Sequence, residues 1–319
     1  MRENPPDILY GIIFSTTADK QDDCVRRTRS QMNSQNQIQR RFSFEFFPPK
    51  TPAGMEKLQT VRDELATKCP DFFSVTYGAG GSTQERTIDT VLKLHNQGID
   101  TAPHLSCIGA TRNDLTELLN LYKENNINRI VALRGDLPSG MGAHGELRYA
   151  NELVEFIREH SGDHFSIEVA AYPEFHPQAT NAEADLINFK KKVDAGANSA
   201  ITQYFYNIDA YFYFIDRVEA MGIDIPIVPG IMPITNYANL VRFSDMCGAE
   251  IPRWIRKQLE AYGDDVESIC KFGEEVVSEM CSTLLQEGVP GIHFYTLNQA
   301  APSLKIWENL NLDALVSKA

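Results

Sequence analysis

The sequence predicts an α/β protein whose main domain is a (β/α)8 TIM barrel. From residue 41 onward, apolar runs rich in β-branched and aromatic residues alternate with amphipathic helical stretches. The alternation repeats at roughly 30 residues, which is the length of one βα unit, and eight units can be counted. An open doubly wound sheet is the alternative topology, but no G-x-G-x-x-G motif follows the first strand. Strict alternation over eight units therefore favours the closed barrel.

The predicted elements divide into an extension and one barrel domain. Residues 1–40 form the N-terminal extension, whose span from Asp19 to Gln39 fits either a surface helix or a partly disordered segment. Residues 41–319 form the barrel. Its eight predicted strands are, in chain order, 41–47, 72–78, 101–107, 129–136, 165–173, 199–206, 226–233 and 291–298.

Amphipathic helices are predicted between the strands. In the typical stretch Ala182 to Ala195, an inner apolar face is expected before Gly196 ends the helix as its C′ residue. The residues expected on this face are Ala184, Leu186, Ile187 and Val193. The longest connection precedes the last strand and contains two helical stretches, Ile251 to Tyr262 and Asp265 to Gln286.

The composition of the 319-residue chain is that of an ordinary globular protein, with 43% hydrophobic and 23% charged residues. A formal charge of -13 argues against a nucleic-acid partner and against attraction to anionic lipid surfaces. The six cysteines show no C-x-x-C pair, and the sequence has neither a long uncharged apolar run nor a secretory signal. We therefore expect a cytoplasmic protein with reduced thiols that binds small organic ligands and no membrane.

The stretch RFSFEFFPPK, residues 41–50, places a single acid at the end of the first strand. Phenylalanines surround Glu45, and Pro48 and Pro49 stop the strand because neither can donate a ladder hydrogen bond. Burial without a partner would raise the pKa of Glu45 and make it a candidate general acid near neutral pH. The alternation F-S-F-E-F also fits a glutamate on the polar face of a strand. The pattern by itself leaves both interpretations open.

Polar and aromatic side chains end most of the predicted strands. Because the βα loops at the carboxyl ends of barrel strands build the pocket, these side chains form the candidate site. They are Glu45, Thr76, Tyr77, His104, Arg134, Gly135, Asp136, Tyr172, His176, Gln203, Asn298 and Gln299. Any one of these residues alone would more often have a surface or core role. Because all of them lie at the same edge of the predicted barrel, we expect them to form a site.

Motifs that the sequence lacks narrow the chemistry of this site. The histidines show neither H-x-H nor H-E-x-x-H spacing, so a metal site has weak support. No serine lies in G-x-S-x-G, and no lysine ends a strand as an obvious Schiff-base nucleophile. The acids Glu45 and Asp136, together with flat aromatic and amide groups, suit a planar heterocycle.

Two further stretches could bind a nucleotide. The glycine-rich loop TYGAGGST, residues 76–83, lets the backbone approach a ring or a phosphate, although glycine pairs are also common in flexible loops. The three lysines at 190–192, with Asp185 and Asn188, could hold phosphates and a sugar. A solvated helix face is the simpler explanation of the lysines.

Several motifs of the chain occur together in one known family. RFSFEFFPPK, VTYGAGGS, PHLSC, IVALRGD, AAYPEFHP, KKKVDAGANSAITQ, PGIMP and HFYTLN follow in unbroken order between residues 41 and 299. Jointly they are highly specific, and the chain resembles the methylenetetrahydrofolate reductase family in its short bacterial form. The resemblance implies an FAD-containing barrel, in which NADH or NADPH reduces the flavin and leaves. In that family 5,10-methylenetetrahydrofolate then takes the same face and is reduced to 5-methyltetrahydrofolate, a step of one-carbon metabolism and methionine biosynthesis.

The resemblance also implies roles for individual residues. Glu45 matches the family's acid, which helps to open the five-membered ring of the folate, and Asp136 matches an aspartate beside the flavin and the pterin. The implied substrate contacts are Glu45, Thr76, Asp136, Gln203, Tyr237 and Gln299. The implied FAD contacts are Thr76, Tyr77, Ala79, His104, Arg134, Gly135, Asp136, Tyr149, Ala150, Tyr172, His176, Asp185, Asn188, Lys191 and Lys192. A homo-oligomer, often a tetramer in the family, is implied as well.

The chain departs from the family pattern at three of these positions. Tyr237 stands where the family commonly has a phenylalanine that packs on the folate or the nicotinamide. Lys191 replaces an arginine often found there, which exchanges a bidentate phosphate contact for a point charge. Gln299 stands where the family usually has an arginine after TLN, which removes a cation near the folate.

Two other functions stay open on the sequence. A flavin-free folate-binding methyltransferase barrel would use the same pterin-binding groups, but it would have no evident need for the cluster from Asp185 to Lys192. A non-catalytic barrel would be indicated by loss of Glu45 or Asp136, and both acids are present.

Overall fold

The structure is a computed structural model that describes residues 34–77, 84–135 and 145–316. Most of the predicted N-terminal extension, residues 1–33, lies outside the described residues, and its predicted helical or disordered state is a prediction still. The last residues of the predicted extension do contact the barrel. The buried amide of Gln35 donates to the carbonyl oxygen of Ile225 at 3.1 Å and accepts from the backbone nitrogen of Ile227 at 2.8 Å.

The strands form a single parallel sheet. They are β1 (Arg41–Phe46), β2 (Phe72–Val75), β3 (Thr101–Ser106), β4 (Arg129–Leu133), β5 (Ser166–Ala171), β6 (Ser199–Thr202), β7 (Ile227–Val228), β8 (Gly230–Ile231) and β9 (Gly291–Tyr295). Their order is β7-β6-β5-β4-β3-β2-β1-β9-β8. Only Pro229 separates β7 from β8, and these two strands pair with opposite neighbours, β6 and β9. The sheet therefore curls into a nearly closed barrel, and the predicted (β/α)8 fold is confirmed.

Helices alternate with the strands and cover the outside of the barrel. They are α1 (Pro52–Ala66), α2 (Gln84–His95), α3 (Arg112–Glu124), α4 (Ala150–Ser161), α5 (Ala182–Asp194), α6 (Ile208–Ala220), α7 (Tyr237–Cys247), α8 (Arg253–Tyr262), α9 (Val266–Gln286) and α10 (Ala301–Asn309). Several begin at a side-chain cap, as where Thr51 accepts from the backbone nitrogen of Gly54. Within the described part of the chain, no helix is long and apolar enough to cross a membrane.

The observed strands end earlier than predicted. β1 stops at Phe46, and β6 stops at Thr202, well before the predicted end at residue 206. The polar and aromatic residues beyond these points lie in the βα loops, where their side chains are free of the strand's two-residue alternation. In the seventh predicted strand, Pro229 has no N–H to donate and divides the run into β7 and β8.

Helix α5 tests the predicted apolar face in detail. It ends at Asp194, and Gly196 follows with φ of 110°, which confirms the predicted C′ glycine. Leu186 and Phe189 are its buried residues. The prediction for Ile187 is wrong, because this side chain is 45% exposed. The buried face of α5 is therefore narrower than the predicted face, and it is formed by Leu186 and Phe189, which are three residues apart.

Side chains along β1 and β9 point alternately to the core between the strands and the helices and to the barrel interior. Phe42, Phe44 and Phe294 point outward, and all three pack around Trp307 of α10, with ring centroids 5.2 to 6.3 Å from the indole. Ser43 and Glu45 occupy the intervening positions, so they point into the barrel, as residues two apart on a strand must.

The amino-terminal end of the barrel interior holds a buried ion pair. Arg129 of β4 donates to the carboxylate of Glu168 on β5, and the hydroxyl of Ser199 on β6 donates to the same carboxylate. The guanidinium group also lies 4.6 Å from the ring centroid of Phe72. Above this pair, a small apolar cluster of Phe72, Ala102, Val131 and Ile201 fills the barrel.

Candidate active site

A cavity of about 480 Å³ opens at the carboxyl ends of the barrel strands. Six of the residues predicted from sequence line it, namely Glu45, Thr76, His104, Tyr172, His176 and Gln203. Aromatic, aliphatic and sulfur-containing side chains form most of the remaining wall, among them Leu133, Ile201, Tyr204, Met232, Phe243 and Tyr295. The cavity therefore offers a few polar groups within a largely apolar enclosure, which is typical of a small-molecule site.

The backbone around Glu45 is held from the end of β9. Thr296 donates its hydroxyl to the carbonyl oxygen of Glu45 at 2.6 Å. The amide of Asn298 accepts from the backbone nitrogen of Phe47 at 2.8 Å and donates to its carbonyl oxygen at 2.9 Å. Asn298 can turn back in this way because it adopts a left-handed backbone conformation with φ of 57°. The acid is thus fixed at the carboxyl end of β1.

Two imidazole rings flank the carboxylate of Glu45. Its Oε2 atom lies 3.3 Å from Nε2 of His104 and 3.5 Å from Nε2 of His293. The Nδ1 atom of His293 lies 2.7 Å from the hydroxyl of Ser43. Glu45 and His104 are each 8% exposed, and His293 is fully buried. Burial of Glu45 without a polar partner, one of the two interpretations that the pattern left open, is therefore wrong.

The prediction of a raised pKa for Glu45 is also wrong, and the two histidines are the reason. Burial by itself raises the pKa of this carboxyl group, but attraction and hydrogen bonding from His104, followed by His293, lower it to about 2. The carboxyl group is consequently ionised at neutral pH in the free protein.

Sequence reasoning did not single out His293. It lies next to Ser43 in the register between β1 and β9, and Tyr295 lies next to Glu45. The alternation G-I-H-F-Y on β9 could have indicated that His293 and Tyr295 point inward together. Their proximity to Glu45, however, follows only once β9 is known to pair with β1.

The residues directly after β4, Arg134 and Gly135, meet the loop after β5 at the rim of the cavity. Arg134 donates to the side chain of Gln178, whose backbone nitrogen donates to Nδ1 of His176 at 3.0 Å. The carboxylate of Asp185 accepts from the backbone nitrogen of His176 at 3.0 Å. Gly135 needs its φ of 85°, and a Cβ there would come within 2.0 Å of the Ser106 hydroxyl. Four predicted residues are thus brought together at the rim.

The predicted basic residues of α5 point in different directions. Lys192 donates to the carbonyl oxygen of Ala170, a lining residue of the cavity, at 2.5 Å. Burial lowers the pKa of Lys192 to about 8, against the attraction of Asp185. Lys191 lies in a surface groove between α4 and α5 with Glu155 and Asp194, and Asn188 is exposed. The structure therefore brings Lys192 close to the cavity and leaves Lys191 and Asn188 away from its lining.

The other predicted residues lie around the cavity or outside the described chain. Tyr77 follows β2, Tyr149 and Ala150 begin α4, and Gln299 is exposed after β9. Tyr237 begins α7 and donates its hydroxyl to Glu260 at 3.2 Å. None of these five is a lining residue of the described cavity. Ala79 and Asp136 lie outside the described residues, so their roles stay predictions.

The arrangement supports proton transfer to a flat ligand. One carboxylate lies within 3.5 Å of two imidazole nitrogens at the base of an apolar cavity, and the rim carries a guanidinium and an amide. Across residues 34–77, 84–135 and 145–316, no group of three or more His, Cys, Asp or Glu residues is arranged to hold a metal ion.

Comparisons with known proteins agree with this description. The sequence profile of the family Methylenetetrahydrofolate reductase matches residues 29–311. The chain is 42% identical over 293 residues to the 5,10-methylenetetrahydrofolate reductase of Escherichia coli (strain K12), covering 92% of this chain and 96% of that protein. It is 44% identical over 271 residues to the enzyme of that name from Pectobacterium carotovorum subsp. carotovorum, covering 85% and 90%.

A plant relative and a solved structure extend the comparison. The chain is 39% identical over 290 residues to Methylenetetrahydrofolate reductase (NADH) 1 of Arabidopsis thaliana, covering 86% of this chain and 49% of that protein. A protein from Clostridium thermocellum that binds two copies of 5-methyl-5,6,7,8-tetrahydrofolic acid matches with a TM-score of 0.62 and 15% identity, covering 88% of this chain and 98% of that one. At this identity the structural likeness shows the fold alone.

The fold and the site define a (β/α)8-barrel protein with an acid-containing, largely apolar cavity at the carboxyl ends of its strands. The profile match spans most of the chain, and bacterial relatives match it over nearly their whole length. The chain belongs to the methylenetetrahydrofolate reductase family.

Proposed function

We propose that the protein reduces 5,10-methylenetetrahydrofolate to 5-methyltetrahydrofolate with electrons from NADH or NADPH, carried by FAD in a ping-pong sequence. The observation that carries the proposal is the ionised Glu45 between His104 and His293 at the base of an apolar cavity. The family resemblance gives this acid the role of proton transfer to the folate, and its position in the cavity supports that role. The relatives named for this reaction support the same assignment.

The described residues fit FAD by their chemistry. Aromatic and aliphatic walls suit a flat isoalloxazine ring, and a half-buried ammonium group such as that of Lys192 is stabilised when an anionic phosphate lies beside it. FAD, when bound, supplies a two-electron carrier that accepts a hydride from the nicotinamide and passes it to the folate. The residues that we propose to hold it are Thr76, Tyr77, Ala79, His104, Arg134, Gly135, Asp136, Tyr149, Ala150, Tyr172, His176, Asp185, Asn188, Lys191 and Lys192.

Glu45 and its two histidines would act as one proton-donating unit. Opening the five-membered ring of the folate requires a proton on the ring nitrogen that leaves, after which the C–N bond breaks and an iminium forms. Glu45 is ionised in the free protein, so it must take up a proton before it can donate one, and the Nε2 atoms of His104 and His293 lie 3.3 Å and 3.5 Å from its carboxylate. Ser43, bonded to Nδ1 of His293, fixes the orientation of that ring.

The remaining substrate contacts are proposed by family resemblance. Gln203 lines the cavity, and the backbone nitrogen of Tyr204 donates to its side-chain oxygen at 3.0 Å, so the amide group remains available to donate to a pterin. We assign Thr76, Asp136, Tyr237 and Gln299 to the same substrate set. A homo-oligomer such as a tetramer and a cytoplasmic location complete the proposal.

The visible absorption spectrum of the purified protein tests the proposal. Flavin bands should be present, bleach on anaerobic addition of NADH or NADPH, and return when methylenetetrahydrofolate is added. Comparison of the two nicotinamides in the first half-reaction would identify the preferred one. A colourless protein that fails to take up added FAD would contradict the reductase assignment and favour a flavin-free folate-binding methyltransferase.

A further inference from the structure

A second cavity, of about 220 Å³, borders the loop that follows β8. Pro233, Ile234 and Thr235 of this loop form one of its walls, and helices α9 and α10 supply the others. The residue before them, Met232, lines the active-site cavity. The two cavities therefore share one short loop as a wall.

Close packing holds this loop against α9. A Cβ at Gly273 would come within 2.3 Å of the carbonyl oxygen of Ile234 and 2.7 Å of its Cβ, so the approach needs a glycine. The thiol of Cys270 donates to the carbonyl oxygen of Thr235 at 3.6 Å. Since Met232 is only two residues from Ile234, a ligand that displaces the loop should also move a wall of the active site.

The walls of the second cavity are largely apolar. Proline rings and branched side chains supply most of them, from Pro233, Ile234, Pro302 and Ile306. Ala301 lines the cavity at the start of α10. The volume is below the roughly 300 to 1,000 Å³ that is typical of sites for drug-sized ligands. The cavity therefore suits one apolar side chain of a small molecule.

One cation and one anion border this apolar space. Lys305 of α10 and Glu274 of α9 are both lining residues. The side-chain amide of Asn309 donates to the carboxylate of Glu274 at 2.8 Å, which orients that carboxylate. Lys305 lies 3.5 Å from Glu308, and its side chain is 61% exposed. An exposed pair of this kind contributes little, so the ammonium group can exchange its partner for a ligand.

We propose that the second cavity binds an apolar α-amino acid as a zwitterion and that its occupancy regulates the active site through the loop after β8. The carboxylate of the ligand contacts Lys305, its ammonium group contacts Glu274, and its side chain enters the apolar space. A fatty acid would match only the lysine, and an amine only the glutamate. The binding stands apart from the proposed function, and only the effect on folate binding rests on it.

Calorimetric titration of the purified full chain with L-leucine tests the binding. Isocaproate and isoamylamine are matched probes, because each keeps the side chain of leucine and lacks one of its charges. L-leucine should bind at least about tenfold more tightly than either probe, since each probe loses one charge-assisted contact. Equal affinity for L-leucine and either probe would overturn the zwitterion site.

Substitutions in the cavity wall test the location. Ala301→Phe fills the cavity, and Glu274→Gln and Lys305→Gln each remove a charge, so each should weaken binding of L-leucine by about tenfold. Glu275→Gln and Lys271→Gln are the controls, because both residues are exposed on α9 and neither lines the cavity. Binding to these two should stay within about twofold of the parent. If Ala301→Phe fails to fold, the charge variants decide, and equal affinity of these and the controls would overturn the proposal.

The half-buried thiol of Cys270 lines the cavity and reports its occupancy separately. Alkylation with N-ethylmaleimide, followed by mass spectrometry of the peptides, compares this thiol with the exposed thiol of Cys69. Saturating L-leucine should slow the labelling of Cys270 by about fivefold or more, because the filled site is closed to the reagent. Labelling of Cys69 should not change. Slowing of both thiols alike, or of neither, would overturn the proposal.

The regulation is tested by the effect of each ligand on the other. A ligand in the second cavity contacts the loop that carries Met232, so L-leucine should raise the Kd for 5-methyltetrahydrofolate by about fivefold. By thermodynamic linkage the folate should raise the Kd for L-leucine by the same factor. Binding of L-leucine without either change would overturn the regulation. A parent that binds L-leucine but neither binds nor reduces a folate contradicts the proposed function and leaves the amino-acid site supported.

Discussion

Two carboxylates lie inside the barrel, and their partners differ in kind. Glu168, at the amino-terminal end, is 2% exposed and bonded to the guanidinium of Arg129 and the hydroxyl of Ser199. Glu45, at the carboxyl end, lies 3.3 Å and 3.5 Å from two imidazole nitrogens and lines the cavity. Both acids are buried, so burial alone does not identify the functional one.

The partner decides what each acid can do. A guanidinium group keeps its proton at any physiological pH, so the charge of Glu168 is fixed and serves the fold. An imidazole can gain or lose a proton near neutral pH, so Glu45 has neighbours with which a proton can be exchanged. Glu168 is therefore suited to a structural role at the amino-terminal end of the barrel, and Glu45 is suited to proton transfer at the carboxyl end.

Glu45→Gln should have the largest effect of the substitutions considered. An amide keeps the shape but cannot pass on a proton, so turnover of methylenetetrahydrofolate should fall by about a hundredfold or more. The substitution also removes the contribution of the Glu45 charge to stability, so the protein should stay folded in the assay but unfold at lower denaturant concentration. Steady-state kinetics with circular dichroism of the same sample checks both parts. If Glu45→Gln turned over the folate at close to the parent rate, Glu45 would have no greater part in the reaction than Glu168.

Glu168→Gln should show the opposite pattern. It leaves the Arg129 guanidinium with only its longer contact to Asp100, at 3.7 Å, so the free energy of unfolding should fall by about 2 kcal/mol. Turnover per folded molecule should be close to that of the parent. Urea unfolding followed by circular dichroism measures the first quantity. An unchanged stability together with a large loss of turnover would place Glu168 in the chemistry instead.

Acid should weaken the fold in a way that depends on Glu45. The pKa of this carboxyl group is about 2 in the folded protein and 4.5 ordinarily. Because the folded value is the lower one, Glu45 stabilises the fold above about pH 4.5, and this contribution, about 3 kcal/mol at most, is lost as the pH falls toward 2. His104→Gln should reduce the contribution, since it removes the largest source of attraction.

Unfolding free energies of the parent and His104→Gln, measured between about pH 3 and about pH 7, check this expectation. The difference between the two proteins should shrink on acidification. Glu168→Gln is the control, because it leaves His104 and Glu45 in place. A constant difference at all pH values would show that the charge of His104 does not act on Glu45.

The two serines should give the smallest effects. Ser43→Ala removes the hydrogen bond to His293, and a neutral bond of this kind is worth about 1 kcal/mol, so a loss of up to about fivefold in turnover is expected. Ser199→Ala removes the hydroxyl from Glu168 and should lower stability without a change in turnover. Kinetics and urea unfolding of both variants complete the comparison. Equal turnover of the two variants would mean that Ser43 does not orient His293 for catalysis.

Much of the fold could be predicted because it depends on local pattern. The apolar runs, the helical stretches and the terminal Gly196 of α5 all follow from periodicity and backbone preference. The strand ends were predicted too late, because aromatic residues such as those at 204–206 have high strand propensity but lie in a loop. Ile187 was placed on the wrong face, because the width of the buried stripe depends on what packs against the helix.

The site was predicted in composition more than in mechanism. Six predicted residues line the cavity because the fold rule places strand ends together. The electrostatics of Glu45 could not be predicted, since His104 and His293 lie 59 and 248 residues away in sequence. His104 approaches Glu45 across the barrel interior from β3, and His293 does so only because β9 pairs with β1. Tyr295 lies beside Glu45 for the same reason as His293.

The most direct test of the central claim is a pair of anaerobic stopped-flow measurements on Glu45→Gln, with Glu168→Gln as the control. If Glu45 supplies a proton to the folate, Glu45→Gln should keep bound flavin and its reduction by the nicotinamide, yet lose reoxidation by methylenetetrahydrofolate. Glu168→Gln should retain both half-reactions in its folded fraction. Reoxidation of Glu45→Gln by the folate at the parent rate would contradict the assignment of chemistry to the carboxyl end of the barrel.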